Sequence, residues 1–271
     1  MSEPDVSIVV PAWGSYARGP LREALASIRA QEVPVRVVLI DNASEPPIEA
    51  GANIHLVRAE RRLSAGAARN LGLTVVTTPY VVFLDADDLL VPGVLRFLVE
   101  RISSDPELSA VASGVVEESG TRHRWPPRWS TSLASRRRLF ALAHSVWSLF
   151  PTTGPTILRT EHVRDAGGYA NANAGEDWVL GVSMVWRGRV ELHERPGLVY
   201  RRLGDSLWEQ RRSPKDLMTH AAAVRRRLRC DRGVPLLART LAPLLVVPQA
   251  VVLLCLAPAA RLARRLITPE T

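Results

Sequence analysis

The sequence predicts an α/β protein: a mostly parallel sheet flanked by helices, followed by an apolar helical tail. Short β-branched and aliphatic runs recur through the first hundred positions. Segments with apolar residues at helical spacing alternate with them. Each run stops abruptly at a proline, a turn signal or a group of carboxylates, as strands buried on both faces do.

Taken in order, Val6 to Val10 is a continuous run ended by Pro11 and reads as a buried parallel strand. Pro20 to Ala30 sets Leu21, Leu25 and Ile28 at helical spacing, with Pro20 suited to a first turn. Val35 to Ile40 is a second strand, stopped by Asp41-Asn42-Ala43-Ser44. Ile54 to Val57 is a short third strand, and Ser64 to Leu73 a helix with Ser64 as its N-cap. Tyr80 to Leu84 is a fourth strand that ends at Asp85-Ala86-Asp87-Asp88, and Val91 to Ile102 is helical. Such alternation implies parallel strands joined by right-handed crossovers. Ligands of these sheets bind beyond the carboxyl ends of the strands. Pro11 to Trp13, Asp41 and Asp85 to Asp88 all lie just past a strand and so converge on one rim.

Past Ser104 the pattern loosens. Val111 to Val116 reads as a strand; the apolar stretch Pro155 to Leu158 follows, then a Gly167-Gly168-Tyr169 turn and a helix from Glu176 to Arg187. Val190 to Leu192 and Leu198 to Tyr200 read as short strands, and Asp216 to Arg229 as a basic helix. Val234 to Ala260 is strongly apolar and is followed by Arg261, Arg264 and Arg265. Three regions are expected: an α/β domain over residues 1–206, a basic helical connector over 207–233 and the apolar tail over 234–271.

Of 271 residues, 46% are hydrophobic, enough for a sizeable core. The net charge is +8, almost all of it from Arg, since Lys215 is the only lysine. An anionic partner would explain it, a nucleotide, a membrane surface or nucleic acid. An Arg-rich composition from a GC-rich genome would give the same surplus. No helix-turn-helix, RRM or zinc-finger pattern supports nucleic acid. Cys230 and Cys255 form no CxxC pair, which fits a reducing compartment, and MSEPDVSIVVP carries no secretory signal pattern. A cytoplasmic catalytic part is expected, at the inner face of the cell membrane if the tail engages lipid.

The carboxylates past the fourth strand carry the sharpest chemical signal. Asp85, Asp87 and Asp88 repel one another unless a cation lies among them, and hard oxygen ligands suit Mg²⁺ or Mn²⁺. Asp88 reads better as the N-cap of the following helix. Asp41 suits a nucleobase or ribose contact, or equally an Asx turn. In Ser64-Ala65-Gly66-Ala67-Ala68 small residues allow close backbone approach, and Arg69 could reach phosphates or the carboxylates. Glu176 and Asp177 lie at a helix start, where a carboxylate serves as a cap or as a base toward an acceptor hydroxyl.

In this order VSIVVPAW, VVLIDNAS, SAGAARNLGL, YVVFLDADD, GGY, GEDW and LVYRRLGDS resemble the family 2 glycosyltransferases, which have the GT-A fold. The resemblance covers roughly residues 5–206. It implies metal-dependent, inverting transfer of a sugar from a nucleotide-diphosphate donor to an acceptor hydroxyl on a glycan or a lipid-linked molecule. It further implies Asp87 on the metal, Asp85 toward the ribose and diphosphate, Asp41 at the nucleobase, Pro11, Trp13 and Arg69 around the donor, and Asp177 as base with Glu176 as runner-up.

Two departures stand out. Pro11-Ala12-Trp13-Gly14 lacks the family's Asn, and Tyr200-Arg201-Arg202-Leu203 has Leu where many members have His, so Arg201 or Arg202 would supply charge instead. A degenerate nucleotide-sugar binder is the alternative. Nucleotidyl transfer is disfavoured, because the only lysine is far from the N-terminus. The Arg and Trp residues of 119–150 would bind acceptor, or be core Trp beside solvated Arg. The tail is long enough to span a bilayer, and its Arg-rich approach would keep the enzyme cytoplasmic.

Overall fold

The computed structural model describes residues 5–118, 126–201 and 213–256. Its elements are β1 (Val6–Ala12), α1 (Gly19–Arg29), β2 (Val35–Asp41), β3 (Ile54–Arg58), α2 (Ala65–Leu73), β4 (Tyr80–Phe83), β5 (Leu89–Leu90) and α3 (Val94–Ser103). There follow β6 (Leu108–Glu117), α4 (Arg128–Ala134), α5 (Arg137–Val146), β7 (Thr156–Arg159), α6 (Thr160–Asp165), α7 (Glu176–Arg187) and β8 (Arg189–Tyr200). The last helices are α8 (Pro214–Cys230), α9 (Leu236–Leu241) and α10 (Val246–Ala250).

One eight-stranded sheet runs in the order β3-β2-β1-β4-β7-β6-β8-β5. The first four strands in that order are parallel, with β1 between β2 and β4. Strand β7 is antiparallel to both β4 and β6, and β5 is antiparallel to β8. The sheet is thus mostly parallel, with two reversed strands that local patterning did not reveal. Along β1, Val9 faces a core containing Val38, Phe83, Ala68 and Leu180, while Ile8 and Val10 face Leu39, Val82, Leu95 and Leu98. Both faces are buried, and for that reason the strands read as unbroken apolar runs rather than as an alternation.

Two expectations need correction. Asp88 does not cap a helix: Leu89 and Leu90 pair with Val199 and Leu198, and α3 begins only at Val94, after Gly93 in the left-handed region. The two short strands expected at 190–200 are one bulged strand alongside β6. Toward the end of α2, Gly72 lies against β1, where a Cβ would sit 2.3 Å from Val9 Cγ1. Helix α8 packs on α7 through Ala221, Val224 and Leu228 against Trp178 and Val182, and Ala242 and Leu253 of the tail join the same cluster. Arg122, Arg124, Trp125, Arg202, Leu203, Arg261, Arg264 and Arg265 lie outside the described residues.

Gly72→Ala forces a methyl into β1 without room for it. It should destabilise the protein by about 1–3 kcal/mol in urea denaturation; an unchanged midpoint would show that α2 stands off from the sheet.

Candidate functional site

A cleft of about 270 Å³ opens beyond the carboxyl ends of β1 and β4. Pro11, Trp13, Arg69, Asp85, Asp87, Glu176 and Asp177 all line it, so seven of the eight expected site residues meet in one place. Asp41 is the exception. Its carboxylate is completely buried and accepts hydrogen bonds from the Ser44 amide (2.8 Å), the Ile48 amide (3.1 Å) and Arg58. Burial works against its charge, yet the two amides outweigh burial and hold its pKa below the ordinary value. The geometry is that of a turn builder shaping residues 42–48, and Asp41 is not among the residues that line the cleft.

Arg69 is the centre of the arrangement. It is buried on α2 and donates to Asp85 (2.7 Å) and to Glu176 (2.6 Å). Burial disfavours its charge, but Asp85 and then Glu176 outweigh that and raise its pKa. The Tyr169 ring lies beside the guanidinium. Helix α2 can sit here because Gly66 has no side chain: a Cβ would lie 1.9 Å from the Ala170 carbonyl oxygen. The Ala65 amide donates to the Asn173 side chain and the Gly66 amide to the Ala172 carbonyl, so the α2 amino terminus is bound to this loop. Asn70 accepts from the Tyr169 amide and donates to the Tyr169 carbonyl, fixing the Gly-Gly-Tyr turn.

The two carboxylates at the start of α7 differ in kind. Glu176 is buried and ion-paired with Arg69. Asp177 is half-buried and accepts from the Trp178 amide (2.7 Å); among the described residues no ion pair engages it. Burial, and next the charge of Glu176, push its pKa up to about 6.

Asp87 is likewise pushed up to about 6, by burial and then by Asp85. Asp88 is buried, is raised well above the ordinary range by burial and by both neighbours, and its Oδ1 has no hydrogen-bond partner. Three crowded carboxylates with an unmatched oxygen fit a divalent cation. Among the described residues no three His, Cys, Asp or Glu side chains form a ready ligand set. That suits Mg²⁺ or Mn²⁺ held by one or two carboxylates plus substrate phosphates. Arg201 donates to the Asp87 carbonyl and pairs with Glu23 on α1, so its charge holds the carboxylate loop in place.

Sequence reading missed Arg62, whose guanidinium stacks 3.2 Å over the Trp13 ring, and Asn42, whose amide joins both backbone groups of Leu63. Both line the cleft. Arg62 is one of many arginines with no local mark, and the Asn42 bond spans 21 residues. Trp129 and Trp147 are exposed, against the core reading, and lie outside the cleft lining.

The glycosyl transferase family 2 model matches residues 7–167. The pre-mycofactocin glycosyltransferase of Mycobacterium tuberculosis is 31% identical over 196 residues, which is 69% of this chain and 39% of that protein. The succinoglycan biosynthesis protein ExoO of Rhizobium meliloti is 27% identical over 216 residues, 73% of this chain and 60% of that one. The chain therefore spans between two fifths and three fifths of the length of these relatives. Among solved structures, S. aureus TarS 1-349 in complex with UDP-GlcNAc superposes with a TM-score of 0.68 at 15% identity, over 90% of this chain and 71% of that one. At that identity the likeness shows the shared GT-A fold.

Removing Arg69 leaves Glu176 and Asp85 as uncompensated carboxylates. Arg69→Met should cost about 3–5 kcal/mol, the usual effect of breaking a buried ion pair. Adding Glu176→Gln to it should recover part of that loss. Urea denaturation of the single and double variants checks this; purely additive losses would contradict the coupling.

Proposed function

The chain belongs to glycosyl transferase family 2, and on that premise we propose that its cleft transfers a sugar from a nucleotide-diphosphate donor to an acceptor hydroxyl with inversion at the anomeric carbon. The observation that carries this reading is the meeting of Asp85, Asp87 and Asp177 in one cleft, with Glu176 committed to Arg69 and Asp177 left outside that ion pair. Asp87, with Asp85 beside it, would hold Mn²⁺ or Mg²⁺. The ion supplies Lewis-acid stabilisation of the leaving diphosphate. Asp177 takes the proton of the acceptor hydroxyl, a task suited to a carboxylate whose pKa lies near 6. Arg69 orients Asp85 and fixes the start of α7, so that base and donor site keep their spacing. The Trp13 face, with Arg62 over it, offers a stacking surface for a nucleobase.

A uridine-diphosphate sugar is the first donor to test, because the neighbouring TarS structure binds one. An envelope glycan or lipid-linked acceptor is favoured by the succinoglycan relative. The protein would work on the cytoplasmic side of the membrane, with the apolar segment Leu236–Leu253 as its contact.

Calorimetry of UDP binding is expected to show Mn²⁺-dependent affinity in the wild type and none of that dependence in Asp87→Ala. Metal-independent binding in the wild type would remove the metal role. Donor binding without turnover, across acceptors, would favour a degenerate binder.

The pH dependence follows from Asp177. As a base it must be ionised, so kcat/KM should rise through about pH 6 and level off above it; a profile flat between about pH 5 and 8 would exclude it. Its pKa is raised from 3.8, so its stability contribution is present below that value and lost as pH rises through about 6. Asp177→Asn should therefore raise Tm at about pH 8 and change it little at about pH 4.

A further inference from the structure

Two stretches far apart in the chain expose large apolar side chains, and they meet. On α5, Leu139 and Leu142 are about half exposed and Val146 partly so, at helical spacing, with Trp147 following. On the tail, Leu237, Leu241, Leu244 and Val247 are exposed at the same kind of spacing. Gln249 joins the two: it is completely buried, donates to the Ser145 carbonyl of α5 (2.8 Å) and accepts from Arg225 of α8. The tail thus turns Ala242, Gln249 and Leu253 toward the enzyme and Leu237, Leu241, Leu244 and Val247 outward.

Charge follows the same division. Residues 128–150 contain four Arg and no Asp or Glu, and residues 217–256 contain six Arg and one acid, Asp231, which is buried against Arg187. These stretches carry formal charges of +4 and +5, so the rest of the chain is −1 against a total of +8. The basic surplus lies on α4 and α5 with the turn between them, and on α8 with the loop that leads into the tail; Arg239 is on the tail itself. Arg136, Arg138, Arg226, Arg229 and Arg232 are exposed. Trp129, 59% exposed, stands on α4 beside α5.

We propose that α5 and the tail form one face that docks on an anionic lipid bilayer and lies in its interface. Exposed leucines with Trp and Arg around them are what such an interface takes up, and each Arg near an anionic surface strengthens binding about fivefold. A second copy of the chain would bring a like-charged face against this one. Leu236–Leu253 has the length and a mean hydropathy of 1.8 suited to crossing a membrane. Crossing would break the Gln249 bonds and expose the side chains packed on Ala242 and Leu253. The face deepens the membrane contact proposed above and is independent of the transfer chemistry.

Flotation of the full chain with phosphatidylcholine vesicles, with and without phosphatidylglycerol, tests it. Binding is expected only to the anionic vesicles and should weaken in high salt. Leu139→Glu with Leu142→Glu, outside the tail, should weaken it by at least about tenfold, with UDP affinity and Tm unchanged. Should that pair fail to fold, Arg136→Gln and Arg138→Gln should each lower binding about fivefold. Wild-type flotation by the α5 variants would overturn the composite face and leave the tail contact standing. Equal binding to neutral vesicles, or a dimer in solution abolished by the Leu139 and Leu142 changes, would overturn it in favour of a purely apolar anchor or a self-association surface.

Discussion

Arg69 is a buried cation whose two partners come from distant parts of the chain, Asp85 after β4 and Glu176 at the start of α7, 16 and 107 residues away. A guanidinium out of water is costly unless it is fully paired. The pairing exists only when the sheet, α2 and the loop before α7 are all in place. Satisfying one charge therefore fixes three pieces of the cleft at once. Gly66 and Asn70 belong to the same constraint, because they let α2 approach the 169–173 loop closely enough for Arg69 to reach Glu176.

That constraint also sorts the carboxylates. Glu176 is spent on Arg69 and Asp85 is oriented by it. Asp177, one residue on, keeps a half-buried carboxylate whose pKa is lifted in part by its neighbour's charge. Adjacent acids thereby have different surroundings, one ion-paired with Arg69 and one outside that pair. The net charge is divided in a similar way: residues 128–150 and 217–256 together carry +9, and the rest of the chain, with the cleft carboxylates, carries −1.

Much of the parallel half of the sheet was legible, because strands buried on both faces read as unbroken apolar runs and stop where Asp or Pro begins. The rim at Asp85 and Asp87 was legible for the same reason. Strands β5 and β7 were not, since the direction of a short strand depends on partners such as Val199 and Leu158 that lie far away in sequence. The surroundings of Asp41 were not legible, because a carboxylate at a strand end looks the same in sequence whether it faces a ligand or its own turn; the Ser44 and Ile48 amides show the turn. Arg62 and Asn42 went unseen because their contacts, with Trp13 and Leu63, are tertiary. The tail was legible as apolar but not as one-sided, because its docking rests on tertiary contacts of Ala242, Gln249 and Leu253 with distant elements.

The central claim is that Arg69 removes Glu176 from the chemistry and leaves it to Asp177. The direct measurement is kcat and UDP affinity of Asp177→Asn and Glu176→Gln side by side, at a temperature where both are folded. The account predicts that Asp177→Asn loses about 10²–10⁴-fold in kcat with UDP affinity intact, and that Glu176→Gln is less stable yet still turns over. An inactive Glu176→Gln beside an active Asp177→Asn would contradict it.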